Sequence, residues 1–314
     1  MTSTRSSTSR PTCSEPAATS PASTGDQGRT TAGSPASRST GRSLPTPAGR
    51  TSSTTSTPIS PSTSGAGGDR VVPSVGVVIP AHDEETLLGA CLRSVSRSLR
   101  AARAAGLVRR HVVVVVAHRC RDRTAMLAAG ALAGQPHRVI IDEVSELVAD
   151  ARRAGAAAAL AELAAAGGHS WLLSTDADTT VPRDWVQRIL GHAGRGAQAV
   201  VGLADIERSA LSEPAWVAYR QIVDAKIYGD SHGHVYGANL AVRADAYLQV
   251  GGFPRVVLGE DAALVDALAA ADVRISRPTD TPVLTSARLI GRAHGGLADL
   301  LHELAENSPA FSRR

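Results

Sequence analysis

The alternation of apolar and polar positions divides the chain into a long polar lead and a body where short apolar runs alternate with helical patterns. Val75-Gly-Val-Val-Ile-Pro80, His111-Val-Val-Val-Val-Val116, Arg138-Val-Ile-Ile141 and Trp171-Leu-Leu-Ser-Thr175 are short and largely β-branched or apolar. Such runs predict strands buried on both faces. Between them, Leu87, Leu88, Cys91, Leu92, Val95 and Leu99 recur at helical spacing, with Asp83 as the expected N-cap. A second helix is expected from Asp122 to Leu132 and a third, alanine-rich one over Ala149–Ala166. Strands alternating with helices predict an α/β/α sandwich on a mostly parallel, Rossmann-like central sheet, whose ligands gather at the carboxyl ends of the strands. The loops after Pro80, Ala117, Ile141 and Thr175 then line one crevice and bring His82, Asp83, Glu84, Asp122, Asp176 and Asp178 toward it.

The second half is less regular. Ala197–Ile206 reads as a strand and Pro214–Tyr228 as a helix that carries Trp216, Tyr219 and Tyr228. The turn Tyr236-Gly-Ala-Asn239 leads into a short apolar segment. A glycine-flanked loop, Gly251-Gly-Phe-Pro-Arg-Val-Val-Leu-Gly259, delivers Glu260 and Asp261 to a helix expected to reach about Ala271. Val273–Ser276 and Val283–Ser286 read as further strands. A polar, arginine-rich loop containing His294 precedes a last helix.

Composition changes this picture mainly at the start. Residues 1–70 are dominated by Ser, Thr, Pro, Gly, Ala and Arg and hold few large apolar side chains beyond Leu44 and Ile59, so they are read as a disordered tail. No apolar stretch near Met1 suits a signal peptide, whereas a transit peptide or a start placed too far upstream suits the same composition. The tail holds seven arginines and three acids, which equals the net charge of +4 for the whole chain; residues 71–314 carry 26 basic and 26 acidic residues. The body as a whole is therefore neutral, and a nucleic-acid partner is not expected. Cys13, Cys91 and Cys120 are scattered and form no Cys-x-x-Cys pair, which points to a reducing cytoplasm. No apolar run is long enough to span a bilayer, and peripheral membrane contact is left open.

The candidate chemistry is concentrated where the fourth run ends. Asp176 and Asp178 stand one residue apart, so in an extended chain both carboxylates face one small volume. Two like charges that close favour a cation, and hard oxygen donors suit Mg2+ or Mn2+ with positions left for phosphate oxygens. Turn formation and helix capping are the competing reading of the same residues.

The order of the pieces resembles the family 2 glycosyltransferases, which transfer sugars from nucleotide-sugar donors and have the GT-A fold. The matching pieces are Val-Val-Ile-Pro-Ala-His-Asp-Glu-Glu (77–85), Arg-Asp-Arg-Thr (121–124), Ala-Arg-Arg-Ala-Gly (151–155), Ser-Thr-Asp-Ala-Asp (174–178), Gly-Ala-Asn (237–239), Gly-Gly-Phe-Pro (251–254) and Gly-Glu-Asp (259–261), within roughly residues 74–290. The resemblance implies a single GT-A domain over 71–314, with a donor half at about 74–180 and an acceptor half at about 181–300. It also implies that Pro80, Ala81, Glu84 and Asp122 border the nucleoside, that Arg152 or Arg153 lies near the diphosphate, and that Asp176 and Ala177 belong to the donor site. Asp176 and Asp178 would match the metal-binding Asp-x-Asp, with His294 as a further ligand. Asp261 would match the base of inverting members, and Gly237, Asn239 and Glu260 would border an acceptor of unknown kind. The chain departs from the family at Ala117-His-Arg-Cys120, where members commonly carry an Asp, so the nucleobase is not assigned. A sugar-phosphate nucleotidyltransferase should show a glycine-rich loop after the first strand, where this chain is acidic, and a dinucleotide oxidoreductase needs Gly-x-Gly-x-x-Gly at the same turn, which is absent here. A catalytically inactive nucleotide-sugar-binding module is the rival of a different class.

Overall fold

In this computed structural model the described residues are 71–164, 169–291 and 296–307. The polar lead, 1–70, and His294 lie outside them. The first-half runs form β1 (Ser74–Ala81), β2 (His111–His118), β3 (His137–Asp142) and β4 (Ser170–Ser174). The later strands are β5 (Ala199–Val201), β6 (Ala204–Ile206), β7 (Ile227–Tyr228), β8 (Ser231–His232), β9 (Leu240–Arg243), β10 (Ile275–Ser276) and β11 (Val283–Thr285). The helices are α1 (Leu88–Ala104), α2 (Thr124–Leu132), α3 (Val148–Ala164), α4 (Trp185–Gly194), α5 (Glu213–Asp224), α6 (Ala244–Gln249), α7 (Glu260–Ala270) and α8 (Leu297–Glu306).

Seven strands form the central sheet in the order β10-β5-β9-β4-β1-β2-β3. Every pairing is parallel except those of β9, which runs antiparallel between β4 and β5. Period-two alternation puts each central strand between two helix layers. Val75, Val77, Ile79, Val113 and Val115 pack with Leu92 and Leu99 of α1, Leu132 of α2 and Trp185 and Ile189 of α4. Val78, Val112, Val114 and Val116 point the other way, toward Ala156 and Ala159 of α3 and Leu264 and Leu268 of α7. At roughly 25 cal/mol per Å² of apolar surface removed from water, these two layers supply the main driving force for folding. A satellite cluster joins Tyr219 and Val223 of α5 to Leu301 of α8, so the aromatic Tyr219 is core.

The alanine-rich composition of α3 allows it to lie very close to the sheet. Gly155 faces β1 and β2 so closely that a Cβ there would run into Val78 Cγ1 and come within 3.1 Å of Val116 Cγ2. Gly155→Ala is therefore expected to destabilise the protein by about 1–3 kcal/mol through overpacking, although alanine is the better helix former by about 1 kcal/mol. Urea unfolding measures the balance, and a more stable variant would contradict the close packing.

Three local expectations are corrected. Helix α1 begins at Leu88, after Leu87 and without a side-chain cap; Asp83 instead sits in a left-handed turn with φ of 52°. The segment 197–206 splits into β5 and β6, which belong to different sheets, because Gly202 breaks the run and bonds through its N–H to the Asn239 carbonyl at 2.9 Å. The helix expected to reach Tyr228 ends at Asp224, and Tyr228 enters the short hairpin β7-β8 around Gly229, whose φ is 61°.

Candidate active site

The parallel strands β1, β2 and β4 release their loops at one edge of the sheet, and side chains from those loops interlock. His82 donates from Nδ1 to the His118 carbonyl at 2.7 Å. The Glu84 N–H bonds Thr124 Oγ1 at 2.8 Å, and the Glu85 N–H bonds Asp122 at 3.0 Å. Asp122 also accepts from the Thr124 N–H at 2.9 Å, which fixes the entry to α2. Ligand atoms of Asp83, Cys120 and Asp122 all lie within 4.8 Å of one another, a possible metal-holding group. Asp83 there accepts from the Arg121 N–H at 2.6 Å, and the Cys120 thiol donates to the Ala81 carbonyl at 3.3 Å. Pro80 and Ala81 are buried at the strand end.

Beyond β4 the chain turns sharply, and Asp176 and Asp178 leave it in different company. Asp176 accepts from Arg152 at 2.7 Å and keeps its side chain 35% exposed. Asp178, only 9% exposed, meets Arg288 through one oxygen and the hydroxyls of Thr285 and Thr179 through the other, at 3.4 and 3.5 Å. Arg288 also reaches Glu84 at 2.8 Å, so a single guanidinium bridges the first and fourth strand loops. Helix α4 follows Asp184 with no side-chain cap, so neither Asp176 nor Asp178 serves as its cap. Ala177 between them is buried.

Electrostatics mark this corner as short of positive charge. Burial, and then the neighbouring Asp176 charge, push the Asp178 carboxyl above the usual aspartate range in spite of Arg288. Burial and the charges of Asp176, Asp178 and Glu84 together hold the Cys91 thiol firmly protonated. A pair of hard oxygen donors in negative surroundings fits a divalent cation. Asp176 and Asp178 do not belong to a group of three such ligands among the described residues, so further donors must come from elsewhere.

The opposite wall is built around Arg152. Its guanidinium is buried and holds Glu260 at 2.9 Å, Ser174 at 2.5 Å, Asp176 at 2.7 Å and the Gly237 carbonyl at 3.4 Å. Burial opposes its charge, but Asp176 and Glu260 outweigh burial and hold it more firmly protonated than an ordinary arginine. A Cβ on Gly237 would collide with this guanidinium, so the turn before β9 requires glycine. Gly237 in turn donates its N–H to Asp261 at 2.6 Å, and the other Asp261 oxygen accepts from the Ala262 N–H at 2.8 Å. Burial, and then Glu260, raise the Asp261 carboxyl above the usual aspartate range, with Arg152 opposing. Gly259, with φ of 76°, is the residue that caps α7; Glu260 and Asp261 follow it in the first turn.

Two sequence-predicted residues have other commitments. Arg153 reaches out to the carbonyls of Gly251 and Phe253 at 3.2 and 2.6 Å. Asn239 is a buried strut that bonds Trp185, Leu203 and Thr281 at 2.9, 2.8 and 2.6 Å. The sequence reading missed Arg288, Ser174, Thr179 and Thr285. Arg288 lies in the arginine-rich loop after β11, but nothing in the spacing says which of its arginines turns inward.

A mostly parallel sheet with helices on both faces, and carboxylates gathered at its carboxyl edge, is an α/β fold that holds its ligand beyond the strand ends. Residues 76–249, more than half of the chain, match the family described as Glycosyl transferase family 2. The chain belongs to that family and is a nucleotide-sugar glycosyltransferase. No curated protein matches it. Among solved structures, it is similar to residues 1–349 of TarS from S. aureus, at TM-score 0.50 and 13% identity over 76% of this chain and 73% of that one. The same TarS fragment in complex with UDP matches at TM-score 0.50 and 12% identity, with the same two coverages of 76% and 73%. A mannosyltransferase from Pyrobaculum calidifontis, in complex with GDP-Man and Mn2+, gives TM-score 0.48 and 17% identity over 75% of this chain and 72% of that one. Among the described residues no helix is long and apolar enough to cross a membrane.

Proposed function

We propose that this protein transfers a sugar from a nucleoside diphosphate donor to an acceptor hydroxyl with inversion at the anomeric carbon. The observation that carries the reading is Arg152, whose bonds to Asp176 and Glu260 bring the end of β4 and the start of α7 to one wall. In this reading the donor half is about 74–180 and the acceptor half about 181–300 of one domain, 71–314. Pro80, Ala81, Glu84, Asp122 and Ala177 border the donor. Asp178 and Asp176 hold Mg2+ or Mn2+, with His294 as a further candidate ligand. When bound, the ion neutralises the charge that develops on the departing diphosphate. Arg288 supplies a second positive charge beside Asp178.

Asp261 accepts the acceptor's proton while the new C–O bond forms and the bond from the anomeric carbon to the diphosphate breaks. Gly237 fixes one of its oxygens. Glu260 and Asn239 position this acceptor wall, and Arg152 holds its acids in place. The reaction is placed in the cytoplasm, in keeping with the free thiols of Cys91 and Cys120.

An assay over a panel of nucleotide sugars, with the product anomer read by NMR, tests the proposal. The expected product has the anomeric configuration opposite to the donor's, and retention would overturn the reading. The acid limb supplies a second check. Asp261 must be ionised to act as base, and its carboxyl lies above the ordinary aspartate value of 3.8. kcat/KM should therefore begin to fall at a higher pH than an unshifted aspartate would give.

A further inference from the structure

At the other edge of the sheet the charge balance is reversed. From Thr86 to His111 the sequence holds six arginines and no acid, although the body as a whole is neutral. Arg93, Arg97, Arg100 and Arg103 follow one another at intervals of four, three and three along α1, which places them on one face, and all four are exposed. Each like-charged pair at that spacing costs an isolated helix about 0.2–0.5 kcal/mol, and α1 contains no acid to offset it. None of these four, nor Arg110, forms an ion pair with a described carboxylate.

The arginines also border a cavity of about 550 Å³ between α1 and the turn from α2 to β3. Gln135 closes that turn onto the helix by bonding Ser96 at 2.8 Å. His111, the first residue of β2, lines the same cavity, is 93% buried, and has no hydrogen-bond partner on either ring nitrogen among the described residues. A smaller cavity of about 360 Å³ shares Arg103, His111 and Pro136 and adds Arg109 and Arg110. Its one acid, Glu162, is paired with Arg138 at 3.0 Å. A face that only needed solubility would carry mixed charge and no recess lined by an unsatisfied buried imidazole.

We propose that this arginine-walled cavity is a second binding site, for a phosphate group, separated from the donor site by the length of β2. Eight residues of strand put the two about 23 Å apart. Guanidinium forks match phosphate oxygens in pairs, and several converging on one recess bind a multiply charged phosphate better than a single carboxylate. Burial and the charge of Arg103 keep His111 neutral, which leaves it an N–H to donate. The phosphate is carried either by a small molecule or by the headgroup of an anionic lipid.

Calorimetric titration of the full chain with inorganic pyrophosphate, in EDTA to withhold divalent cations from Asp178, addresses the first source. Flotation with phosphatidylglycerol vesicles, compared with phosphatidylcholine, addresses the second. Replacing Arg97 and Arg100 together by glutamine should weaken pyrophosphate binding by about tenfold per arginine, or abolish capture by the anionic vesicles, and leave donor turnover unchanged. The double lysine variant, which keeps charge but loses the forks, should fall between. Pyrophosphate binding that survives the glutamine variant and disappears in Arg288→Gln, which removes the donor-site cation, would assign the anion to the donor site and overturn the proposal. Failure of the wild-type chain to bind either probe would overturn it as well.

Discussion

Asp261→Asn is expected to lower kcat by about 10²–10⁴-fold while leaving nucleotide-sugar binding close to that of the wild type. The amide keeps the size of the carboxylate, and its oxygen can still accept from the Gly237 N–H, so the turn before β9 stays in place. What it loses is the capacity to take a proton, together with the acceptor for the Ala262 N–H at the start of α7. Burial and Glu260 already raise the Asp261 carboxyl, which brings its basicity closer to that of an effective base at neutral pH. Single-turnover kinetics with the donor pre-bound separates the two parameters. Equal losses in donor affinity and rate would mean that Asp261 holds the wall together and does not act on the acceptor.

Arg152→Met should be among the most destabilising single substitutions in the protein, at roughly 3–5 kcal/mol. It would leave Glu260, 8% exposed at its side chain, buried without its cation, and release Ser174, Asp176 and the Gly237 carbonyl together. Lysine would not rescue it, because one ammonium cannot satisfy four partners fixed by a planar fork. The double variant Arg152→Met with Glu260→Gln should recover part of the loss by removing the stranded charge. Urea unfolding of the single and double variants tests this, and a small, additive effect would show the hub to be dispensable. Loss of activity in the single variant would follow from misplacing Asp176 and Asp261, so stability is the cleaner readout.

The first half of the fold was legible because the middle of a strand buried on both faces has to be apolar, and the middles of β1, β2 and β4 are. The acids at the end of β4 were legible for a related reason, since carboxylates directly after a buried strand stand out against it. The second half was less so. β9 is four residues long and reads like any short apolar segment, yet its antiparallel insertion is what brings Gly237 and Asn239 to the site edge. The division of labour between Arg152 and Arg153 carried no sequence signal, because α3 is alanine-rich all round: Ala149, Arg153, Ala156 and Leu160 fit helical spacing as well as Ala149, Arg152, Ala156 and Ala159, and only packing decides that Arg152 is the buried one. Arg288 had none either, because its partners Glu84 and Asp178 lie 204 and 110 residues away in the chain.

The central claim is that Asp178, with Asp176, presents a divalent cation to a nucleoside diphosphate. Titrating nucleoside diphosphates into the wild-type chain and into Asp178→Asn, each with and without Mn2+, tests it most directly. Binding should require Mn2+ in the wild type and be lost in the variant. Binding of equal strength in all four combinations would contradict it.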